Sequence, residues 1–379
     1  MSSASGLSVT KPVAAWNKSI KADFKELFKS LGKAAINTAL GKWDSVATDV
    51  VDGAAALGLA ETPEEIAWLL IYRSLIQAMA SLVEGNKELL VEKPNIDEIE
   101  VICNHRLDLS LENMELRIDQ EFFRRPKNLP IVEGIKTPFA QWIEGFGVSK
   151  AQAETISHRL PTYFVFALHE EWAKHPDKYA CLKEELDTPF IQANEREQAW
   201  LRYGAWLQKQ VEEPMFLEPF GLKQVYVPLR AYYQRQVAGQ KAKELEYRLK
   251  DDKQYERVVV NLQTQLETWL NKAERNDAIR VISGGPGSGK SSFAKIFAAN
   301  QAEKGEIRVL FIPLHQFNPS DDLVDAIGKF INSDIYGILP PNPLCLDNVE
   351  SRLLIIFDGL DELAMQGKVA AEVAQQFVR

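Results

Sequence analysis

Residues 281–292 read Val-Ile-Ser-Gly-Gly-Pro-Gly-Ser-Gly-Lys-Ser-Ser. The segment from Gly284 to Ser291 fits G-x-x-x-x-G-K-[ST], a pattern with a physical reason for each residue type. Gly284, Gly285, Gly287 and Gly289, with Pro286 and Ser288 between them, let the backbone curl so that successive N–H groups point inward and form an anion nest. A helix-compatible run, Ser292–Ala299, follows and adds the partial positive charge of a helix N-terminus. Lys290 is then placed to reach the β- and γ-phosphates of a nucleotide, and the Ser291 hydroxyl to ligate Mg²⁺. An apolar run, Ile279–Ile282, precedes the loop and reads as the strand that feeds it. A featureless glycine turn would not bring the strand, the complete motif and the helix together. The stretch therefore reads as a phosphate-binding P-loop, with Gly284 through Ser292 around the nucleotide.

A second stretch, Leu353 to Leu363, reads LLIIFDGLDEL. Its apolar half has the composition of a buried strand, and Asp358, Asp361 and Glu362 crowd its end. Carboxylates that close need a cation or water between them. In a parallel α/β sheet, ligands sit at the carboxyl ends of the strands. Asp358 is then the acid on the Mg²⁺ side, facing the ion held by Ser291. Asp361 or Glu362, a turn later, can orient the attacking water, and both are the candidate catalytic acids. The competing reading has Asp361 and Glu362 capping the next helix.

The spacing of these acids separates families. Many AAA+ ATPases have a glutamate directly after the Walker B aspartate; here Gly359 stands there, and the acids follow it. Asp358-Gly359-Leu360-Asp361-Glu362 resembles the NACHT signature of the STAND class of signal-transducing nucleotide switches. An ABC signature is absent, and Asn271-Lys272-Ala273-Glu274 misses the NKxD pattern of GTPases. The segment Tyr226–Tyr233, YVPLRAYY, resembles the stretch that bacterial NACHT proteins carry before the P-loop, which makes Tyr226–Arg230 a candidate for base recognition by that resemblance. A complete NACHT module continues with further strands and helical domains, so the sheet is expected to be incomplete at Arg379, soon after the Walker B motif. The resemblance implies Mg²⁺ with ATP or GTP as cofactors, slow hydrolysis, self-association, an unknown protein trigger, and a role in defence or innate-immune signalling. The alternatives are an AAA+-like motor or processing ATPase and a scaffold whose nucleotide is not hydrolysed.

Working outward, the expected architecture is an α-helical N-terminal domain followed by an α/β P-loop NTPase domain with an incomplete parallel sheet. The boundaries read from the sequence are 1–230 for a helical interaction or adaptor domain, 231–274 for a charged linker and helix, and 275–379 for the NTPase part. After Asp277 short apolar runs alternate with helical patterns: Val309–Ile312, Leu323–Ile331, Leu353–Phe357. That is the rhythm of βαβ units. Upstream, Thr62-Pro63-Glu64-Glu65 and Ser149-Lys150-Ala151-Gln152 are capping boxes. The first opens a helix to about Val83; the second opens one that stops before Pro161, and another is expected from about Thr162 to Pro176. Val225–Leu229 is strand-like, Lys241–Arg257 reads as a solvated helix or linker, and Val258, Leu262, Leu266, Trp269 and Leu270 recur at helical spacing.

The 379 residues carry a formal net charge of −9, which makes no electrostatic case for nucleic acid or an anionic membrane. Three dispersed cysteines form no disulfide framework or zinc spacing, which fits a reducing cytoplasm. The most apolar stretch, Ile66–Val83, is interrupted by Arg73, Ser74 and Gln77 and reads as a core helix. No catalytic pattern stands out before residue 230. His169-Glu170-Glu171 lacks the second histidine of a zinc motif and reads as a surface pair. Glu92, Lys93, Asp97 and Glu98 read as solvated charges, and Cys103 with His105 as structural. Trp68, Trp172 and Trp206 read as core.

Overall fold

The computed structural model describes residues 7–9, 63–90, 116–118, 126–182, 195–215, 219–236, 255–272, 274, 277–317, 322–334, 337–345 and 352–360. In chain order the elements are β1 (Leu7–Val9), α1 (Pro63–Gly85), β2 (Leu116–Ile118), α2 (Pro130–Glu144), α3 (Lys150–His158), α4 (Leu160–Lys174) and α5 (Glu195–Gln210). Then come β3 (Arg230–Gln236), β4 (Tyr255–Asn261), α6 (Leu262–Lys272), α7 (Lys290–Lys304), β5 (Arg308–Pro313), α8 (Leu323–Asn332) and β6 (Leu353–Asp358). They form two compact units, Met1–Gln224 with Ala298–Arg379, and Val225–Phe297.

In the first unit, the 23-residue helix α1 packs along α4, and α2 packs on α3. Ile71, Leu75, Met79, Phe139, Trp142 and Phe164 are fully buried between them. The polar residues that interrupt the apolar run of α1 tie this core together. Arg73 donates to Glu171 of α4 at 3.1 Å, and Gln77 donates to the other carboxylate oxygen at 2.8 Å. The Tyr179 hydroxyl donates to Glu171 at 2.6 Å. Ser74 satisfies itself on the Leu70 carbonyl at 2.6 Å. The turn between α3 and α4 is pinned by Arg159, which donates to the Glu212 carbonyl at 2.7 Å and to Asn86 at 3.2 Å.

Local signals explain the helix ends. Ser149 and Gln152 form the expected capping box, with Ser149 accepting from the Gln152 N–H. His158 ends α3, and Pro161 sits in the first turn of α4, where its missing N–H costs nothing. Asp322 caps α8 by accepting from Val324 N–H at 3.0 Å. Thr62, half of the other expected box, lies outside the described residues, as do residues 30–60, Glu92 to Glu98, Cys103 and His105.

β5 and β6 pair in parallel, from Arg308 opposite Leu353 to Pro313 opposite Asp358. A parallel pair needs a crossover, and α8 lies in it. β1 and β2 form a short antiparallel pair. Helix α5 lies between α4 and β5: Arg202 pairs with Glu170 of α4 at 3.7 Å, while Tyr203 meets the backbone of Phe311.

The second unit holds the antiparallel pair β3–β4, with Arg230 opposite Asn261 and Gln236 opposite Tyr255. This corrects two expectations. Tyr226–Leu229 precedes β3 instead of forming a strand: Pro228 has no N–H to give a ladder, and Leu229 N–H donates to the Tyr226 hydroxyl at 3.3 Å. Val258 belongs to β4 and not to the helix that follows. The run Tyr255–Asn261, rich in valine, suits a pleated surface, and the helix begins only at Leu262, where Asn261 accepts from Thr264 N–H at 3.1 Å. Ile279–Ile282 is no strand either. A strand exists through its ladder, and among the described residues no segment pairs with this one; Ile279 is 69% exposed.

His169 and Glu171 are buried, not a surface pair. Burial holds the His169 imidazole down to about 4, with Arg202 adding to the effect. Burial would raise the Glu171 carboxyl, but hydrogen bonds from Tyr179 and Arg73 and the Arg73 charge bring it below its ordinary value. The unfolded chain therefore takes up a proton at His169 before the folded one does. Its contribution is complete above the ordinary histidine value and is lost as the pH falls toward about 4. Urea unfolding of the wild type should lose up to about 3 kcal/mol between roughly pH 6.5 and 4, and His169→Gln should remove most of that slope. The Glu171 contribution is lost only at lower pH, as its carboxylate is protonated.

Candidate functional site

The loop lies in the second unit, between the segment Asp277–Ser283 and the first turn of α7. Its approach is held by a small cluster. The Trp269 indole donates to the Asp277 carbonyl at 2.6 Å, and the Arg280 guanidinium lies 5.0 Å from the Trp269 ring centre. Arg280 also pairs with Asp277, and that hydrogen bond holds the Asp277 carboxyl below its ordinary value.

Two glycines of the loop take backbone conformations that L side chains resist, Gly287 at φ +72° and Gly289 at φ +83°. At Gly284 a Cβ would come within 2.9 Å of the Ser288 hydroxyl, which would have to turn aside. Ser288 N–H donates to the Gly285 carbonyl at 3.3 Å, and Phe293 N–H donates to the Gly289 carbonyl at 2.8 Å, which passes the loop directly into α7. Lys290 folds back across the loop, its ammonium 2.7 Å from the Gly284 carbonyl oxygen and 3.3 Å from that of Gly285. A cation thus sits inside a curl of backbone at a helix N-terminus, the donor set that suits a polyphosphate. The loop fits that group in its residues and in its fold. Pro286, Ser291 and Ser292 lie on the same loop and first helical turn, with Pro286 and Ser291 exposed.

Leu229 is a neighbour that residue spacing alone did not assign. Its side chain lies 3.5 Å from the place a Cβ of Gly289 would occupy. Its carbonyl accepts from Leu262 N–H at 3.0 Å, so the junction between β4 and α6 positions it. Of the segment Tyr226–Arg230, marked by resemblance alone, Leu229 therefore lies beside the loop.

The acid at the end of β6 belongs to the first unit. Asp358 is the last residue of the strand and stands opposite Pro313 of β5, and the preceding Phe357 ring packs against Phe317 at 5.6 Å. Asp358 is half-buried. Gly359 turns the chain at φ +92°. A glutamate at this position would carry a strained backbone, which gives a physical reason for the acids to come later. Asp361 and Glu362 lie outside the described residues.

Two family models match the chain. The model for NACHT N-terminal Helical domain 3 matches residues 15–222, and the model for the NACHT domain matches residues 279–377. No curated protein and no solved structure matches it. Among the described residues no helix is long and apolar enough to cross a membrane.

Replacing Gly359 with alanine should cost about 1–2 kcal/mol in urea unfolding, the usual penalty for an L residue held at positive φ. An unchanged midpoint would mean the turn relaxes freely.

Proposed function

The chain belongs to the NACHT proteins that carry N-terminal Helical domain 3, and on that premise we propose that it is a nucleotide-operated signalling switch. Membership makes it a P-loop NTPase of the STAND type, a class that binds nucleotide with Mg²⁺. The observation that carries the finer reading is the Lys290 ammonium inside the glycine curl, 2.7 Å from the Gly284 carbonyl oxygen. That cation is set for the β- and γ-phosphates of ATP or GTP, with the loop N–H groups around them.

Ser291 and Asp358 are the Mg²⁺-side residues in this reading, and Asp361 and Glu362 the acids that orient or polarise the attacking water. Hydrolysis is slow and acts as a timer. Nucleotide favours a self-associating state only to the extent that it binds that state better than the resting one. A protein trigger shifts the same equilibrium, and the helical domain carries the output in the cytoplasm, in defence or innate-immune signalling. The positive φ of Gly359 supports this over an AAA+-like motor, whose glutamate would have to stand there.

Calorimetric titration of ATP and of GTP, each with Mg²⁺, tests the reading. One nucleotide should bind the wild type, and Lys290→Ala should bind it at least tenfold more weakly, about 1.4 kcal/mol. Asp358→Asn should weaken binding in Mg²⁺ and leave binding in EDTA unchanged. A folded chain that binds neither nucleotide would sink the proposal.

A further inference from the structure

The outer edge of β5 needs a partner. Arg308 N–H donates to the Arg352 carbonyl at 2.9 Å, on the β6 side. Backbone groups alternate along a strand, so Phe311 turns its N–H and C=O to the opposite edge. Among the described residues no strand pairs there. One side chain serves both groups: the Tyr203 hydroxyl accepts from Phe311 N–H at 3.1 Å and donates to the Phe311 carbonyl at 3.3 Å. It does from a helix what a neighbouring strand would do, and Tyr203 is fully buried in doing it.

The rest of α5 braces this contact on two sides. Toward the sheet, Glu197 pairs with Arg308, whose guanidinium lies 5.6 Å from the Trp200 ring centre. Toward the helices, Lys209 lies about 5 Å over the rings of Tyr163 and Phe166. Arg202 is shared, reaching Glu170 of α4 at 3.7 Å and donating to the Gly337 carbonyl beyond α8. The other end of the strand pair is the Pro313–Asp358 rung.

We propose that α5 is a latch between the helical domain and the nucleotide-binding sheet, closed by the Tyr203 hydroxyl on Phe311 and opened when nucleotide moves the strand pair. This rests on the nucleotide reading above. Asp358 is the metal-side acid in that reading, and its strand is laddered to β5, so a shift of β6 is carried to Phe311. Both hydrogen bonds share one oxygen, so drawing the hydroxyl about 1 Å away from the strand edge takes both beyond bonding distance together. Release frees the face of α5 that holds the sheet while the face on α4 stays bound, so the helical domain leaves as a body.

Hydrogen–deuterium exchange on the full chain tests this. Tyr203→Phe removes only the hydroxyl, and exchange across 308–313 should rise about tenfold or more while circular dichroism stays unchanged. Adding the nucleotide with Mg²⁺ to the wild type should shift exchange across 284–304, 308–313 and 195–210 together. In Tyr203→Phe the shift at 284–304 should remain and that at 195–210 should vanish. Unchanged exchange at 308–313 in Tyr203→Phe overturns the latch. Protection at 284–304 without any change at 195–210 in the wild type overturns the coupling and leaves nucleotide binding standing. No change anywhere on adding nucleotide overturns the nucleotide reading and the coupling with it, while the Tyr203→Phe comparison still decides whether the hydroxyl holds the edge.

Discussion

A buried backbone N–H or C=O without a partner costs about as much as a lost hydrogen bond, and that constraint organises the unit that carries Asp358. Two parallel strands satisfy only the edges that face each other. On β5 the outward-facing pair at Phe311 is closed by a phenol from α5. A helix covering a strand edge also blocks pairing with another chain. Once Tyr203 is committed to Phe311, the position of α5 follows, and with it the contacts of Arg202, Trp200 and Glu197.

The helical core obeys a related rule for charge. Arg73 and Glu171 lie inside an apolar packing of α1 on α4, where either alone would be very costly. Tyr179 and Gln77 take up the remaining carboxylate capacity. The arrangement sets the register of α1 against α4, because sliding either helix by a turn would strand the pair. It also explains why the most apolar stretch of the chain is broken by polar residues: the breaks are the ties.

The glycine loop and the helix it opens were legible because their signals are local. The loop glycines, Lys290 and the helix start follow one another in sequence, and Gly287 and Gly289 have the positive φ that only such residues take easily. The capping box at Ser149 and the break before Pro161 were legible for the same reason. Partnerships across the chain were not. Tyr255–Asn261 carries charges among its valines, and one helical pattern could be drawn through Val258 into α6; only pairing with β3 made it a strand. Ile279–Ile282 shows the reverse, an apolar run with strand composition and no ladder among the described residues. His169 and Glu171 looked like solvent-facing charges because nothing near them in sequence announces Arg73, 98 residues away from Glu171.

The amino-acid sequence by itself determined the glycine loop that opens α7, the strand ending at Asp358 with the glycine after it, and the helical character of the N-terminal region, since each depends on neighbours within a few residues. The tertiary structure decided which segments became strands, which charges were buried, and that Tyr203, 108 residues from Phe311, closes the sheet edge. Strand pairing and buried ion pairs draw their free energy from partners distant in the chain, and no local pattern names those partners.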